Sequence, residues 1–372
     1  MYHTSPFGSK YVQQEQPRQD ETFAAAAAGW PYPPSWVDRL HSQIERLPGP
    51  GWLLYSLLAL FLVLTHAAIK WGDGSYSAGT FHPFHVVVMI SGVWYLALVH
   101  YLNWVANRAM GRFRPVLEGG ESRYNELAYS LLTLPARPTL VVTLAGLLYG
   151  VLMVVGVARG LVFTPEVLVF TSPVARWFEG AIGLLVCLSF SLFVYHTIHQ
   201  VRVVNRIYTT STVIDLFNLT PIHVFSVLTA QTASGGLLIA YTWIVTEPGF
   251  AGDKFSLIAM LTTVALALFA FLWPLLGVHR LLVAEKIRAQ TEVGQRVKTC
   301  FAELHRRIDD QLSVELEPPV KAMAGLQQEQ DWLVKISTWP WEPETIRWLA
   351  TAVFLPMVLW FITRLLERFL DF

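Results

Sequence analysis

The sequence predicts an all-α fold: a polytopic membrane helical bundle with six or seven transmembrane helices and a cytoplasmic helical hairpin before the last. Three observations predict it. Of 372 residues, 53% are hydrophobic and only 15% charged, where a soluble globular chain carries about 25% charge. The charges are gathered into short segments and leave at least six apolar runs between them, each approaching the ~20 residues that cross a ~30 Å hydrocarbon core. The connections between these runs alternate between poor and rich in Arg and Lys, as the positive-inside rule expects of a chain that weaves through a membrane.

The bulk numbers exclude some functions. Net charge is zero and the isoelectric point is about 7.2, so no basic field argues for nucleic acid. Cys187 falls in an apolar run and Cys300 in a charged one, and no disulfide is expected between them. No short basic region precedes an apolar core at the start of the sequence, so insertion is expected to follow the first spanning helix.

Taken in order, residues 1–33 are rich in Gln, Ser, Pro and Ala without an apolar period and read as a disordered tail. Residues 34–48 read as an interfacial amphipathic helix. Ser35 followed three residues later by Asp38 is a capping pair, and Val37, Leu40, Ile44 and Leu47 then recur at helical spacing with Trp36 at the edge. Pro48, Gly49 and Pro50 end it. The transmembrane domain, 49–279, has spans at 52–69, 83–105, 139–158, 177–199, 222–246 and 256–278.

Arg39 and Arg46 precede the first span and Lys70 follows it; Arg108, Arg112, Arg114, Arg123 and Arg137 follow the second. Arg159 and Arg176 are sparse after the third, Arg202 and Arg206 follow the fourth, Lys254 the fifth, and Arg280, Lys286 and Arg288 the sixth. This pattern puts the N-terminus in the cytoplasm. Two cytoplasmic connections, 125–135 and 204–220, mix apolar and polar residues and read as interfacial helices. Pro135 and Pro138 separate the first of them from the third span.

Residues 280–338 read as a cytoplasmic helical hairpin. Val297, Phe301, Leu304, Ile308 and Leu312 make one apolar stripe, Pro318 and Pro319 mark a turn, and Val320, Met323, Leu326 and Leu333 make a second. A lone hairpin buries both stripes poorly, which makes them candidates for contact with another copy or a membrane-complex partner; the alternative is that they pack on each other. Residues 339–372 open on Trp339-Pro340-Trp341, an interfacial anchor. They hold a short seventh span, 348–366, that puts the C-terminus on the opposite side. In helix order alone this layout resembles that of insect chemoreceptor channels; the resemblance carries no shared motif and transfers no residue.

The residues able to carry chemistry are few. His66, His82 and His85 fall near the outer ends of the first two spans; His100, His196, His199 and His223 fall near inner ends. Imidazoles facing each other across helices can ligate a metal or haem iron, which makes His85, His100, His196 and His199 the candidates. His85 and His100 are separated by about 22 Å along one helix. Neither Cys nor carboxylate completes the His82/His85 or His196/His199 pair as a zinc or di-iron motif, and a hydrogen-bonded structural role is the commoner fate of such residues. Thr229, Gln231, Thr232 and Ser234 form a polar turn in the fifth span that either lines a hydrated path or bonds to a neighbouring helix. Gly146 with Gly150, and Gly235-Gly236, permit close helix approach. Glu179 opens the fourth span, and no charge is expected at mid-depth. No phosphate loop, zinc-protease helix or nucleophile elbow is present.

These features point to a homo-oligomeric channel or transporter-like bundle without buried-charge coupling and without a cofactor. One alternative is a scaffold or sensor subunit whose hairpin docks a partner. The other is a haem b-bearing electron-transfer subunit using the four histidines.

Overall fold

In a computed structural model, residues 30–160, 172–210, 216, 219–247, 254–309 and 317–339 are described, with single positions at 344, 347, 350 and 351. Most of the expected tail, all of the seventh span at 348–366 but Ala350 and Thr351, and Leu312 lie outside the described residues.

Among the described residues there are nine α-helices: α1 (Trp36–Glu45), α2 (Gly51–Gly72), α3 (Pro83–Phe113), α4 (Gly120–Leu132), α5 (Ala136–Ala158), α6 (Pro173–Thr210), α7 (Thr220–Thr246), α8 (Lys254–Asp309) and α9 (Glu317–Lys335). A 3-10 turn, Arg114–Val116, follows α3 at Pro115. Six helices, α2, α3, α5, α6, α7 and α8, are long and apolar enough to cross a membrane. Several outrun the apolar stretches that predict them. Arg and Asn residues are adequate helix formers, and nothing in Arg108–Arg112 or Arg202–Arg206 breaks the backbone. Of the expected interfacial helix at 204–220, residues 204–210 are therefore the last turns of α6, and Thr220 already opens α7.

The outer helices present apolar faces to their surroundings. Phe61 is 63% exposed and Leu148 62%, and only 11% of the most apolar stretch of α2 is buried in the bundle, against 67% for α7. Apolar surface of that extent and length suits a hydrocarbon surrounding. α7 is the inner helix, packed on α3 and α8.

Small residues set the closest helix contacts. A Cβ on Gly235 would stand 2.6 Å from Leu98 Cδ1, and one on Gly150 3.2 Å from the Leu184 backbone, so α7 seats against α3, and α5 against α6, only because these positions lack a side chain. Two indoles reinforce the α3–α7 contact: Trp243 Nε1 donates to Ser91 Oγ at 2.8 Å and Trp94 Nε1 to Gly235 O at 3.1 Å.

The capping box is formed: the Ser35 hydroxyl accepts from Asp38 N, while Asp38 accepts from Ser35 N at 2.9 Å. Asp38 also accepts from Leu134 N at 3.1 Å, tying α1 to the α4–α5 junction. Trp30 stacks on Tyr129 at 4.3 Å and the Tyr32 hydroxyl donates to Thr133 O at 3.0 Å. The segment just before α1, read from the sequence with the tail, is thus pinned to α4. α1 turns Val37, His41 and Ile44 inward.

α8 continues from its apolar half into the polar segment, and α9 returns along it. Lys286 Nζ donates to Val334 O at 2.9 Å and Ile336 O at 2.8 Å, and His279 Nδ1 to Thr338 O at 2.9 Å while its ring stacks on Trp339. Near the membrane-length half the hairpin closes on itself, with Leu333 buried; further out Phe301, Ile308 and Val320 are 44%, 53% and 51% exposed.

Candidate functional site

The feature that asks most for an explanation lies at the end of the bundle shared by the C-terminus of α2 and the N-termini of α3 and α6. Glu179 Oε1 stands 2.9 Å from Lys70 Nζ, 3.0 Å from His66 Nε2 and 4.0 Å from His85 Nε2. All four side chains are at most 5% exposed.

Local structure explains how they meet. His66 and Lys70 are one turn apart, so both face the same side of α2, and Lys70 in the last turn complements the partial negative charge of the helix end. Pro83 opens α3 and sets His85 in its first turn. Ser172 Oγ accepts from Ala175 N at 3.1 Å as α6 begins, and Glu179 follows about 9 Å inside the helix start at 1.5 Å per residue. The α2–α3 loop folds back through Gly74 at φ +76°, a left-handed position that suits glycine, and brings the Tyr76 hydroxyl onto His85 Nδ1. The His66 and His85 rings lie 4.5 Å apart.

The hydrogen bonding is incomplete. His85 Nε2, Glu179 Oε2 and His82 Nδ1 are buried and have no hydrogen-bond partner among the described residues. A cavity of about 10 Å³, mostly apolar but bordered by His66, Tyr76, His82 and His85, lies beside the two histidines, room for about one water. His66, His85 and Glu179 each offer one donor atom, all within 4.8 Å of one another.

Three expectations are overturned here. Lys70, read as a loop charge, belongs to α2 and is buried; and a charged pair is enclosed between membrane-length helices, so the bundle is not free of buried charge. A carboxylate also joins the histidine set after all. The sequence hid this because His66 and Glu179 are 113 residues apart. The usable signal was His66-x-x-x-Lys70 at the same depth in α2 as Glu179 in α6, two apolar helices of opposite direction.

Comparisons with protein-family models, curated proteins and solved structures return no match. Geometry alone carries the reading.

The other candidate histidines gather at the opposite end. His100 meets Tyr55 Oη through Nδ1 and Glu45 Oε1 through Nε2, both at 3.1 Å, and its ring stacks on His41 at 4.7 Å. His196 Nε2 donates to Asn103 Oδ1 at 2.8 Å, which also accepts from Gln200 Nε2 at 3.2 Å. His199 Nε2 donates to Ser130 O at 2.8 Å. Of the four, then, His85 stands apart from the other three, and both His100 nitrogens and His199 Nε2 are engaged.

In the polar turn of α7 the Thr229 and Thr232 hydroxyls donate within their own helix, to Ser226 O at 3.0 Å and Leu228 O at 2.9 Å. Gln231 Oε1 and Ser234 Oγ have no partner among the described residues. Thr232 borders a cavity of about 20 Å³ that is mostly apolar. In the first stripe Val297 packs on the main core, whereas Phe301 and Ile308 face outward and Leu304 is half-buried.

Proposed function

We propose that this chain is a multi-pass membrane protein of the transporter-like kind, whose working part is a cation site at the Lys70–Glu179–His66–His85 centre. One observation carries the reading: a carboxylate buried between three membrane-length helices, held by an ammonium and an imidazole, with a second imidazole nitrogen and the other carboxylate oxygen left unpaired. Ionisable groups in such positions are costly and mark ion paths and relays. Alternating basic loops put this centre toward the outer leaflet, with the N-terminus and hairpin in the cytoplasm.

A second observation supports an assembly role for the hairpin. Phe301, Ile308 and Val320 leave an apolar strip on a segment otherwise rich in charge, which suits contact with another copy of the chain; this is also the basis of the scaffold reading. The four side chains of the centre are at most 5% exposed, so the site is closed off from water, and alternating access fits better than a permanent channel.

Flux in proteoliposomes tests the reading. Reconstituted protein is expected to carry protons or divalent cations, read by entrapped dyes, and Glu179→Gln to abolish the flux. Sealed liposomes with no flux of either kind would contradict it.

A further inference from the structure

We propose that His66 Nε2, His85 Nε2 and a Glu179 carboxylate oxygen hold a divalent d-block cation of the Zn²⁺ class, and that Lys70 is its built-in competitor. The inference rests on the reading of this centre as a cation site and names the cation.

The donor set is selective. Two imidazoles and one carboxylate are the three protein ligands of an open zinc site, in which water completes the tetrahedron. Imidazole favours Zn²⁺ and its neighbours, whereas Mg²⁺ and Ca²⁺ seek oxygen alone. The separations suit the same ions. Donors bound at ~2.0–2.2 Å around a tetrahedral ion lie about 3.4 Å apart. Here they are 3.0 Å for His66 Nε2 to Glu179 Oε1, 4.0 Å for His85 Nε2 to the same oxygen, and all within 4.8 Å. Changes of about half an ångström in the two distances to Oε1, and of up to about 1.4 Å between the imidazoles, bring the three donors to an ion, and each comes from a different helix.

The surroundings agree. His85 is 2% exposed at its side chain with Nε2 unpartnered among the described residues, which leaves that nitrogen able to bind an ion or a water. Tyr76 engages the other ring nitrogen. When Nδ1–H donates to that oxygen, the Nε2 lone pair is turned to the ion, the outer-shell arrangement that orients metal-bound histidines. The adjoining cavity accommodates the fourth ligand, a water.

Lys70 Nζ at 2.9 Å from Glu179 Oε1 occupies the charge the metal would supply. Metal and ammonium cannot both share that oxygen at close range in a buried site. Loading at Oε1 therefore moves the ammonium off that oxygen, and unloading lets it return. With the ion bound, the metal's two positive charges and the displaced ammonium face a single carboxylate, so a charged Lys70 opposes loading, which is the sense in which it competes.

The test is Co²⁺ titration of the full chain in nanodiscs, followed by the visible d–d bands of a tetrahedral nitrogen–oxygen site and by Zn²⁺ displacement. One Co²⁺ per chain is expected. His85→Ala should remove the bands, Tyr76→Phe should weaken affinity about 10–100-fold, and Lys70→Met should tighten it at least tenfold, a gain that misfolding cannot produce. Absence of the bands in wild type, their survival in His85→Ala, or a Lys70→Met affinity equal to or weaker than wild type would overturn the proposal. Glu179-dependent proton flux without Co²⁺ binding would overturn the metal centre alone. Co²⁺ binding without flux would uphold the metal centre and remove the transport reading instead.

Discussion

Glu179 accepts from two donors through one oxygen, so removing its charge strands an ammonium in a site with almost no water. Breaking one partner of such a pair costs about 3–5 kcal/mol, while replacing both by apolar residues of similar size is near neutral or stabilising. Glu179→Gln should therefore lower the unfolding midpoint in detergent markedly, and Lys70→Met with Glu179→Met should restore most of it. Equal losses in the two variants would contradict the pairing. At the other end, burial pushes the Asp38 carboxyl up to about 6, and burial, helped by His100, lowers the His41 imidazole to about 3. The signs oppose. His41 contributes to docking of α1 above its unfolded value of 6.5 and loses that as pH falls. Asp38 contributes below its unfolded value of 3.8 and loses that as pH rises through about 6. Hydrogen-exchange protection of residues 36–45 should thus change little from pH 6 to 4 and drop below 4, whereas His41→Phe should abolish the drop. The Ser35–Asp38 capping box was legible in the sequence because cap and partner are three residues apart. The partners of Glu179 were not, because a lone Lys after an apolar run reads as a loop charge until the helix is known to continue past it.

Among the elements, glycine decides which helices meet. Gly235→Val would drive a side chain into Leu98, 2.6 Å from where a Cβ would sit, and overpacking of this kind costs about 1–3 kcal/mol. The expected outcome is a lower unfolding midpoint that Leu98→Ala partly rescues; no rescue would mean that α7 does not seat on α3 there. Gly146, Gly150 and Gly235 could be picked out from spacing alone, but spacing does not name the helix across the contact. α8 and α9 were visible as two stripes, but Pro318 and Pro319, read as the turn, lie in the first turn of α9. That α8 runs unbroken from its apolar half to Asp309 was not, since periodicity continues smoothly while hydropathy changes. Lys286 stitches α8 to α9 through two carbonyls. Lys286→Met is expected to raise hydrogen exchange in 326–336 at least several-fold while leaving α3 and α7 unchanged.

For the whole molecule, aromatic residues mark two levels. Trp52 begins α2 and Trp104 lies toward the end of α3, both more than half exposed, while Trp71, edge-on to Phe81, closes α2. Trp52 and Trp71 are 19 residues apart, about 28 Å at 1.5 Å per residue, the thickness of a hydrocarbon core. Single cysteines at Arg112 and Arg288, in a background lacking Cys187 and Cys300, should react with an impermeant reagent from the same side, and one at Ser77 from the other. Arg112 and Arg288 on opposite sides would break the weave. Composition was enough for the membrane-length helices, because lipid-facing positions on α2 and α5 need only be apolar. The centre between the helices needed the fold.

The most direct test of the whole account is cation flux by the Lys70→Met/Glu179→Met chain in proteoliposomes beside wild type, with equal folded protein verified in both. If the buried pair is the working part, the variant keeps its fold and loses flux to the level of empty liposomes. Undiminished flux in the variant would mean that the Glu179 centre serves structure only.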